Sequence, residues 1–424
     1  MPTVAGLSFQ HSAVLAVFVV VYAGMFLGGL PRLKLDRTGV ALLGAIAVLG
    51  LSGQPLEHAA QAIDLPTIVL LFAFMVVSAQ LRLGGFYTEV TRRVGGLPLS
   101  PRGLLAALIA VAGALSAVFS NDIICLAMTP VVARLCLRRG LNPVPFLLGL
   151  ACAANIGSAA TLMGNPQNML IGSVLQLPFG GYVRQALGPV LLSLLLLWLW
   201  LAHGPGAQAL ASTSPVGQAP AAEAPAADWG AGAPVFDRWQ SAKGLAVSVT
   251  LLAVFLLTDW PREVAALVGA GVLLLSQRLH SADVMGLVDW NLLVLFMGLF
   301  VVNQAFADTG LALQAVDWLA AHGVVLSEPN TLLVVGVVLS NLVSNVPAVM
   351  LLLPNLGANA ADAGLLLALV STFAGNLLLV GSMANLIVAD LATREGMVLD
   401  WKQHAAVGVP VTLASLAVVW GWVG

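Results

Sequence analysis

Long apolar runs separated by short polar segments make up most of this chain of 424 residues. A helix that crosses a bilayer needs about 20 mostly apolar residues, because the hydrocarbon layer is about 30 Å thick. Runs that meet or approach this length lie near 12–30, 39–53, 66–83, 144–175, 186–202, 243–258, 263–277, 290–306, 364–393 and 404–422. The pattern predicts an all-α polytopic membrane protein.

Two further apolar runs, 102–137 and 330–354, are interrupted near their middles by polar residues. Ser120, Asn121 and Asp122 interrupt the first run, and Ser344 and Asn345 interrupt the second. Lipid-exposed backbone must satisfy its polar groups internally, so such breaks occur where protein or a watery cavity surrounds them. We interpret both runs as re-entrant hairpins.

Composition excludes a water-soluble globule. The chain is 59% hydrophobic and 8% charged, with a mean hydropathy of +0.98, whereas soluble domains are about 25% charged. The three cysteines have no CxxC spacing, so neither a disulfide framework nor a zinc site is expected. The six histidines fall near segment ends, and we interpret none as a metal ligand. No nucleic-acid partner and no cofactor are predicted, apart from Na⁺ or H⁺ as a coupling ion.

The basic residues predict which side of the membrane each loop faces. If the hairpins do not cross the membrane, all 17 Lys and Arg residues except Arg184 and Arg262 lie on one side. This asymmetry is the positive-inside signal of a cytoplasmic face. We therefore expect a multi-pass protein of the inner (cytoplasmic) membrane with both termini periplasmic or extracellular.

The second half of the chain repeats the first. Residues 64–72 align with residues 289–297 at a shift of 225 positions, while Asn121 and Asn345 are 224 apart and Asn168 and Asn385 are 217 apart. The predicted organisation is a first repeat, an Ala/Pro/Gly-rich flexible linker on the cytoplasmic side, and a second repeat, over residues 1–203, 204–242 and 243–424.

Each repeat is predicted to contain three spans, a hairpin, a broken span and a final span. Five crossings is an odd number, so the second repeat enters the membrane upside down relative to the first. The two hairpin tips then meet near the midplane, as in secondary transporters built from inverted repeats.

The polar residues at these interruptions predict a binding site. Freed carbonyl groups can hold a cation while helix N-termini face an anion, and an Asn amide offers both an oxygen and N–H groups. Glycine and proline favour unwinding of the broken spans. The candidate substrate- and ion-binding residues are Ser120, Asn121, Asp122, Asn155, Gly157, Thr161, Gly164, Asn165, Gln167, Asn168, Ser344, Asn345, Gly381, Ser382 and Asn385.

Asp122 is the acidic residue that the pattern places deep in a membrane segment. An ionisable group there usually belongs to an ion pathway or a paired structural site. Asp122 could bind Na⁺ together with Ser120 and Asn121, carry a proton, or cap the second arm of the hairpin. A second Na⁺ site is expected at Ser344 and Asn345. No basic residue is expected at this depth, so an anion would rest on helix N-termini and a co-bound cation, or enter uncharged.

Three stretches resemble a known group of transporters. Asn121-Asp122 followed by the Thr129–Val132 segment, TPVV, resembles arsenite-pump-type permeases. Residues 155–168, with the GNPQN sequence, are similar to anion permeases of the ion transporter superfamily, which includes citrate-transporter-like domains. Residues 375–385 resemble the second-half signature of that superfamily and add Asn376 to the candidate site.

The resemblance implies cation sites at the hairpin tips, an elevator-like movement and a homodimer. It also implies a separate ATPase subunit if the protein works as an arsenite pump does. Dicarboxylate/sodium symporters of the superfamily have Ser-Asn-Thr at both tips, whereas this chain has Asp122 and Val346 at the third position.

The predicted function is secondary active transport of a small anion or metalloid hydroxide, coupled to H⁺ or Na⁺. A sodium/proton antiporter, in which Asp122 exchanges the two ions, is the alternative. A channel and an intramembrane hydrolase are the remaining alternatives; the hydrolase would need a base that the sequence does not place in the membrane. The chain is therefore not expected to be an enzyme.

Overall fold

The structure is a computed structural model that describes residues 9–30, 33–53, 55–204, 235–357 and 359–423. Within these ranges the chain is helical, and it has no β-strand beyond an isolated bridge between Gly29 and Asp36. The predicted linker over 204–242 falls largely outside the described residues. The all-α prediction is confirmed.

The described part of the first half contains ten α-helices. They are α1 (Phe9–Leu27), α2 (Arg37–Ser52), α3 (Leu56–Ala62), α4 (Leu65–Leu83), α5 (Phe86–Gly96), α6 (Pro101–Val118), α7 (Asn121–Arg138), α8 (Pro143–Ser158), α9 (Pro166–Val174) and α10 (Phe179–His203).

The described part of the second half repeats this order. Its helices are α11 (Arg238–Leu257), α12 (Arg262–Leu274), α13 (Ser281–Met285), α14 (Trp290–Asp308), α15 (Leu311–Ala321), α16 (Pro329–Val343), α17 (Asn345–Leu352), α18 (Ala360–Ala374), α19 (Met383–Arg394) and α20 (Trp401–Val423). Each helix from α1 to α10 has its counterpart ten helices later, although the sequence pattern did not predict the short helices α3, α5, α13 and α15.

Seven of the described helices are long and apolar enough to cross a membrane: α1, α4, α6, α10, α11, α14 and α20. This finding confirms a polytopic membrane protein. Because α6 belongs to this set, its length alone does not distinguish a hairpin arm from a full crossing.

The path of α7 decides how the run 102–137 is folded. The chain breaks at Phe119 and Ser120, and α7 then returns toward the residues that precede α6. Arg139, just after α7, donates hydrogen bonds to the carbonyl groups of Gly95, Leu97 and Leu99, the last over 3.3 Å. The run thus begins and ends at the same place in the fold, and its position in a bilayer stays a prediction.

The second interrupted run behaves in the same way. Helices α16 and α17 meet at Ser344, and the chain after α17 comes back to the segment before α16. A β-carbon added at Gly357 would lie 3.0 Å from the β-carbon of Ser327. Both interrupted runs therefore fold into pairs of helices whose outer ends meet.

Hydrogen bonds join the two halves along their length. The Gln80 side chain donates to Gln240 Oε1 over 2.6 Å, and the Tyr22 hydroxyl donates to Asn303 Oδ1 over 2.9 Å. Near the ends of α7 and α19, both oxygens of the Glu395 carboxylate accept from the Arg134 guanidinium, over 2.8 and 3.0 Å. The two halves thus form one packed body.

Candidate substrate and ion site

Two of the predicted spans are broken helices whose breaks lie side by side. The first break separates α8 from α9 at residues 159–165, and the second separates α18 from α19 at residues 375–382. Asn165 caps α9 by accepting from Asn168 N over 2.9 Å, and Ser382 caps α19 by accepting from Ala384 N over 3.2 Å. Each break is thus followed by the N-terminus of a second helix, which lies inside the protein.

Gly164 lets the first break fold tightly. A β-carbon at this position would lie 2.2 Å from the carbonyl oxygen of Ser158 and 2.7 Å from that of Ser116. Backbone contacts this close cannot be relieved by moving a side chain. The same carbonyl-rich turn presents Gly164 O to the amide N–H of Asn121, at 3.2 Å, so the break directly contacts the first hairpin tip.

Asn155 is the centre of the site. Its Oδ1 accepts from Asn121 Nδ2 over 2.9 Å and from Ser382 Oγ over 3.0 Å. Its Nδ2 donates to Asn376 Oδ1 over 2.8 Å and to Asn385 Oδ1 over 3.1 Å. These four bonds use the full capacity of an amide side chain. Asn155 therefore joins the first hairpin tip to the second break.

Backbone carbonyls fix the direction of these amides. Asn385 Nδ2 donates to the carbonyl groups of Gly375 and Leu378, over 2.8 and 3.2 Å, and Asn376 Nδ2 donates to that of Cys152 over 3.4 Å. A carbonyl group can only accept, so each of these two amides must turn its oxygen toward the central amide.

Asn121 directs its Nδ2 toward Asn155 Oδ1. The amide oxygen of Asn121 therefore points away from the network. Asn121 Oδ1, Asn168 Oδ1 and Asn345 Oδ1 have no hydrogen-bond partner among the residues that the structure describes. These three side chains are 6%, 0% and 9% exposed. A buried acceptor without a partner is costly, so each of these three oxygens is a candidate ligand for an ion or acceptor for a hydroxyl group.

Corresponding residues of the two halves make reciprocal hydrogen bonds. Asn165 Nδ2, in the first break, donates to Thr372 Oγ1 of the second half over 3.2 Å. Ser382 Oγ, in the second break, donates to Asn155 Oδ1 of the first half. Asn165 and Ser382 are 217 positions apart, as are Asn155 and Thr372. Reciprocal contacts of this kind are typical of two units related by a two-fold axis.

The hairpin tips differ from each other in backbone geometry. Ser344 has φ +79° and ψ 158°, a region that is essentially restricted to glycine, whereas Ser120 has φ −56°. Neither serine side chain caps the helix that follows it. Asp122 lies partly exposed in the first turn of α7.

The remaining candidate residues lie in or beside this network. The Thr161 hydroxyl bonds to Ala117 O and Met163 N, and Gln167 Nε2 donates to Thr372 Oγ1 over 3.2 Å. Gly157 lies against Gly113, since an added β-carbon would be 2.3 Å from Gly113 Cα. Asn345, which follows Ser344, is beside the second break, since a β-carbon at Gly375 would lie 3.0 Å from Asn345 Nδ2. A β-carbon at Gly381 would lie 2.8 Å from Asn341 Oδ1.

Four residues that sequence reasoning missed take part in the site: Tyr182, Asn341, Thr372 and His404. Tyr182 accepts from Asn168 Nδ2 over 3.0 Å, and His404 Nε2 lies 2.9 Å from Asn376 O. His404 lies near the start of α20, as the sequence pattern predicts, and its side chain is buried. The sequence signal for Tyr182 and His404 is their matching position, because each is the fourth residue of the final helix of its half.

Comparison with known proteins identifies the family. The chain is 31% identical to a silicon efflux transporter of Oryza sativa subsp. japonica over 92% of each chain. It is also 31% identical to the inner membrane protein YbiR of Escherichia coli K12, over 81% of this chain and 83% of that protein.

The crystal structure of the YdaH transporter of Alcanivorax borkumensis shares the fold, with a TM-score of 0.58, 14% identity and coverage of 98% of this chain and 97% of the other. Residues 14–374 match the citrate transporter family, CitMHS. The resemblance to the ion transporter superfamily is therefore confirmed, and the protein belongs to the citrate transporter family of membrane transporters.

Proposed function

We propose that the protein is a secondary active transporter of a small anion or metalloid hydroxide, coupled to H⁺ or Na⁺. The observation that supports this proposal best is the set of unpartnered amide oxygens, Asn121 Oδ1, Asn168 Oδ1 and Asn345 Oδ1, at the tips and the first break. Oxygen atoms of this kind bind hard cations, and they also accept hydrogen bonds from hydroxyl groups.

The character of the site favours a substrate that is uncharged or carries its own cation. Lysine and arginine side chains take no part in the hydrogen bonds described above for this network, which consist of amides, hydroxyls, carbonyls and His404. A bare multivalent anion would face acceptor oxygens without a compensating charge. A hydroxide of silicon or arsenic would instead donate its O–H groups, and the silicon efflux relative agrees with this chemistry.

The coupling ion is proposed to bind at the first tip, where Asp122 adds a carboxylate to Ser120 and Asn121, with a second cation at Ser344 and Asn345. The reciprocal Asn165–Thr372 and Ser382–Asn155 contacts support an inverted repeat. Two half-sites that meet at one network suit alternating access, in which a moving part carries the site from one face to the other.

Flux in proteoliposomes tests the substrate. Purified protein is offered silicic acid, arsenite, phosphate, sulfate and citrate, each with a proton gradient, a sodium gradient or neither. We expect gradient-driven accumulation of at least one hydroxide or small anion. Accumulation that never exceeds equilibrium would indicate a channel and contradict the proposal.

The same vesicles distinguish this proposal from the alternative of sodium/proton antiport. That alternative is based on the carboxylate of Asp122. An antiporter would acidify or alkalinise the lumen when only a sodium gradient is imposed, with no substrate present. A transporter that couples H⁺ or Na⁺ to a substrate would show no such proton movement in the absence of that substrate.

Replacement of Asp122 tests the coupling site. Asp122→Asn keeps the shape of the side chain and removes the charge that holds a cation or proton, so coupled flux should fall to the level of empty vesicles. Asp390→Asn, at an exposed ion pair with Arg394, is the control and should leave flux unchanged. Undiminished gradient-driven flux in Asp122→Asn would remove this residue from the mechanism.

A further inference from the structure

The final helix of each half carries one buried polar side chain near its start. Tyr182 is the fourth residue of α10 and His404 is the fourth residue of α20. Both side chains are buried inside the protein. The two positions correspond in the repeat, because α10 begins at Phe179 and α20 begins 222 positions later, at Trp401.

Each of these side chains binds a backbone carbonyl of the break that precedes its helix. The Tyr182 hydroxyl donates to Ala159 O over 2.9 Å, and His404 Nε2 is 2.9 Å from Asn376 O. Ala159 and Asn376 are 217 positions apart, the same offset as Asn168 and Asn385. Since a carbonyl only accepts, His404 must carry its proton on Nε2.

The backbone around the second bond is shaped for this contact. A β-carbon at Gly408 would lie 2.1 Å from Asn376 O, so glycine allows α20 to approach the break. Without a donor, the carbonyl freed by the end of a buried helix would lack a partner. The two bonds thus satisfy equivalent carbonyls in equivalent places.

Both bonds lead directly to residues of the site. Tyr182 also accepts from Asn168 Nδ2, whose other hydrogen goes to Thr161 O over 3.1 Å. Both donors of Asn168 are then occupied, and its oxygen is the group left free. In the second half, His404 bonds to the backbone carbonyl group of Asn376. The side-chain oxygen of the same Asn376 accepts from the central Asn155.

We propose that Tyr182 and His404 are a matched pair of positioning residues. Each fixes the unwound backbone of one broken helix, and thereby the direction of the amide groups that receive the substrate. Neither residue contacts the substrate. The expected effect on transport kinetics rests on the proposed transport function, whereas the expected effect on the backbone does not.

The structural consequence is tested by hydrogen exchange measured by mass spectrometry on the purified full chain. Tyr182→Phe should speed amide exchange in residues 159–165 only, and His404→Leu in residues 375–382 only, because each break loses its own restraint. Exchange that is unchanged at both breaks would overturn the proposal, whether or not the protein transports anything.

The kinetic consequence is tested with the substrate that the flux panel identifies. Loss of either bond should raise the KM by about tenfold, while the maximal rate changes little. His404→Gln keeps an N–H donor and should recover most of the loss. Altered exchange with an unchanged KM would show that the pair restrains the backbone without serving the site, which would also overturn the proposal.

Ser193→Ala and Ser415→Ala are matched controls. These serines lie in the same two helices, are likewise 222 positions apart and are buried, and their hydroxyls have no partner among the described residues. Both variants should leave exchange and KM unchanged. If wild-type protein shows no flux while both exchange effects appear, the proposed function fails and the positioning of the breaks stands.

Discussion

Asparagine dominates the site because its side chain can accept and donate at once. An amide whose N–H groups are committed to backbone carbonyls has only its oxygen left to offer. This is the situation of Asn168, whose donors go to Thr161 O and Tyr182. Asn155 is the opposite case, since all four of its hydrogen bonds are used within the protein. Residues of one type therefore serve either as scaffold or as candidate ligands.

The tips offer a prediction at the residue scale. Ser344 has a positive φ that costs a non-glycine residue about 1–3 kcal/mol, so Ser344→Gly should raise the free energy of unfolding by about 1 kcal/mol. Ser120 has φ −56°, and Ser120→Gly should lower it by about 0.5–1 kcal/mol through the greater freedom of the unfolded chain. Unfolding midpoints in detergent measure both, and shifts of the same sign would contradict the prediction.

Helices in this protein approach each other closely where glycines face each other. Helices α6 and α8 cross at Gly113 and Gly157, with no space for a side chain between them. Small residues allow such close approach in membrane proteins, where packing rather than the hydrophobic effect holds helices together. The crossing holds the first hairpin against the helix that carries Asn155.

A methyl group at this crossing should separate the two helices. Gly157→Ala should destabilise the protein by about 1–3 kcal/mol, because the added carbon meets backbone atoms that cannot move aside. Gly271→Ala, in the interior of α12 with nothing within 4 Å of the new carbon, should stabilise by up to about 1 kcal/mol. Equal thermal midpoints for the two variants would contradict this account.

The short helix α5, outside the long apolar helices, offers a pH-dependent prediction. Hydrogen bonds from Arg92, with further help from Arg93, hold the pKa of Glu89 at about 2, below its ordinary 4.5. A lowered pKa gives stability that is present above about pH 4.5 and is lost as the pH falls toward 2.

Glu89→Gln should therefore reduce the loss of thermal stability between pH 5 and pH 3 relative to the wild type. Glu57→Gln, in the short helix α3 and exposed, is the control and should follow the wild-type curve. Identical curves for all three proteins would show that the α5 ion pairs do not contribute to acid sensitivity.

At the scale of the whole molecule, the two halves are interlocked. The ion pair of Arg134 with Glu395, the Gln80–Gln240 bond and the network around Asn155 all join first-half residues to second-half residues. The site exists only where the halves meet, so neither half could bind the substrate as proposed without the other.

Labelling from each side of the membrane tests the predicted arrangement. Cysteines introduced at exposed positions, Gly96→Cys and Arg138→Cys, should react from one face, because the first interrupted run begins and ends together. Glu328→Cys and Ala361→Cys, around the second run, should react from the opposite face. The native cysteines are buried and should give little background. Reaction of Gly96→Cys and Arg138→Cys from different faces would eliminate the re-entrant hairpin.

The sequence by itself determined where the long apolar helices run and where the interrupted ones break. Apolar length gives the spans, and Gly164, Pro166 and the polar residues at 120–122 and 344–345 mark breaks that the structure contains. These signals are local, because helix length and unwinding depend on neighbouring residues. The sequence also predicts a repeat, because offsets between similar residues are measured along one chain and need no knowledge of space.

Only the tertiary structure decided which polar atoms are satisfied and which are free. Asn121 and Asn155 look alike in sequence, yet one keeps a free oxygen while the other is saturated by Asn376, Asn385 and Ser382 from more than 200 positions away. Hydrogen-bonding capacity is small and is divided among whichever groups meet in space. That division, which no local pattern encodes, separates the scaffold of this site from its candidate ligands.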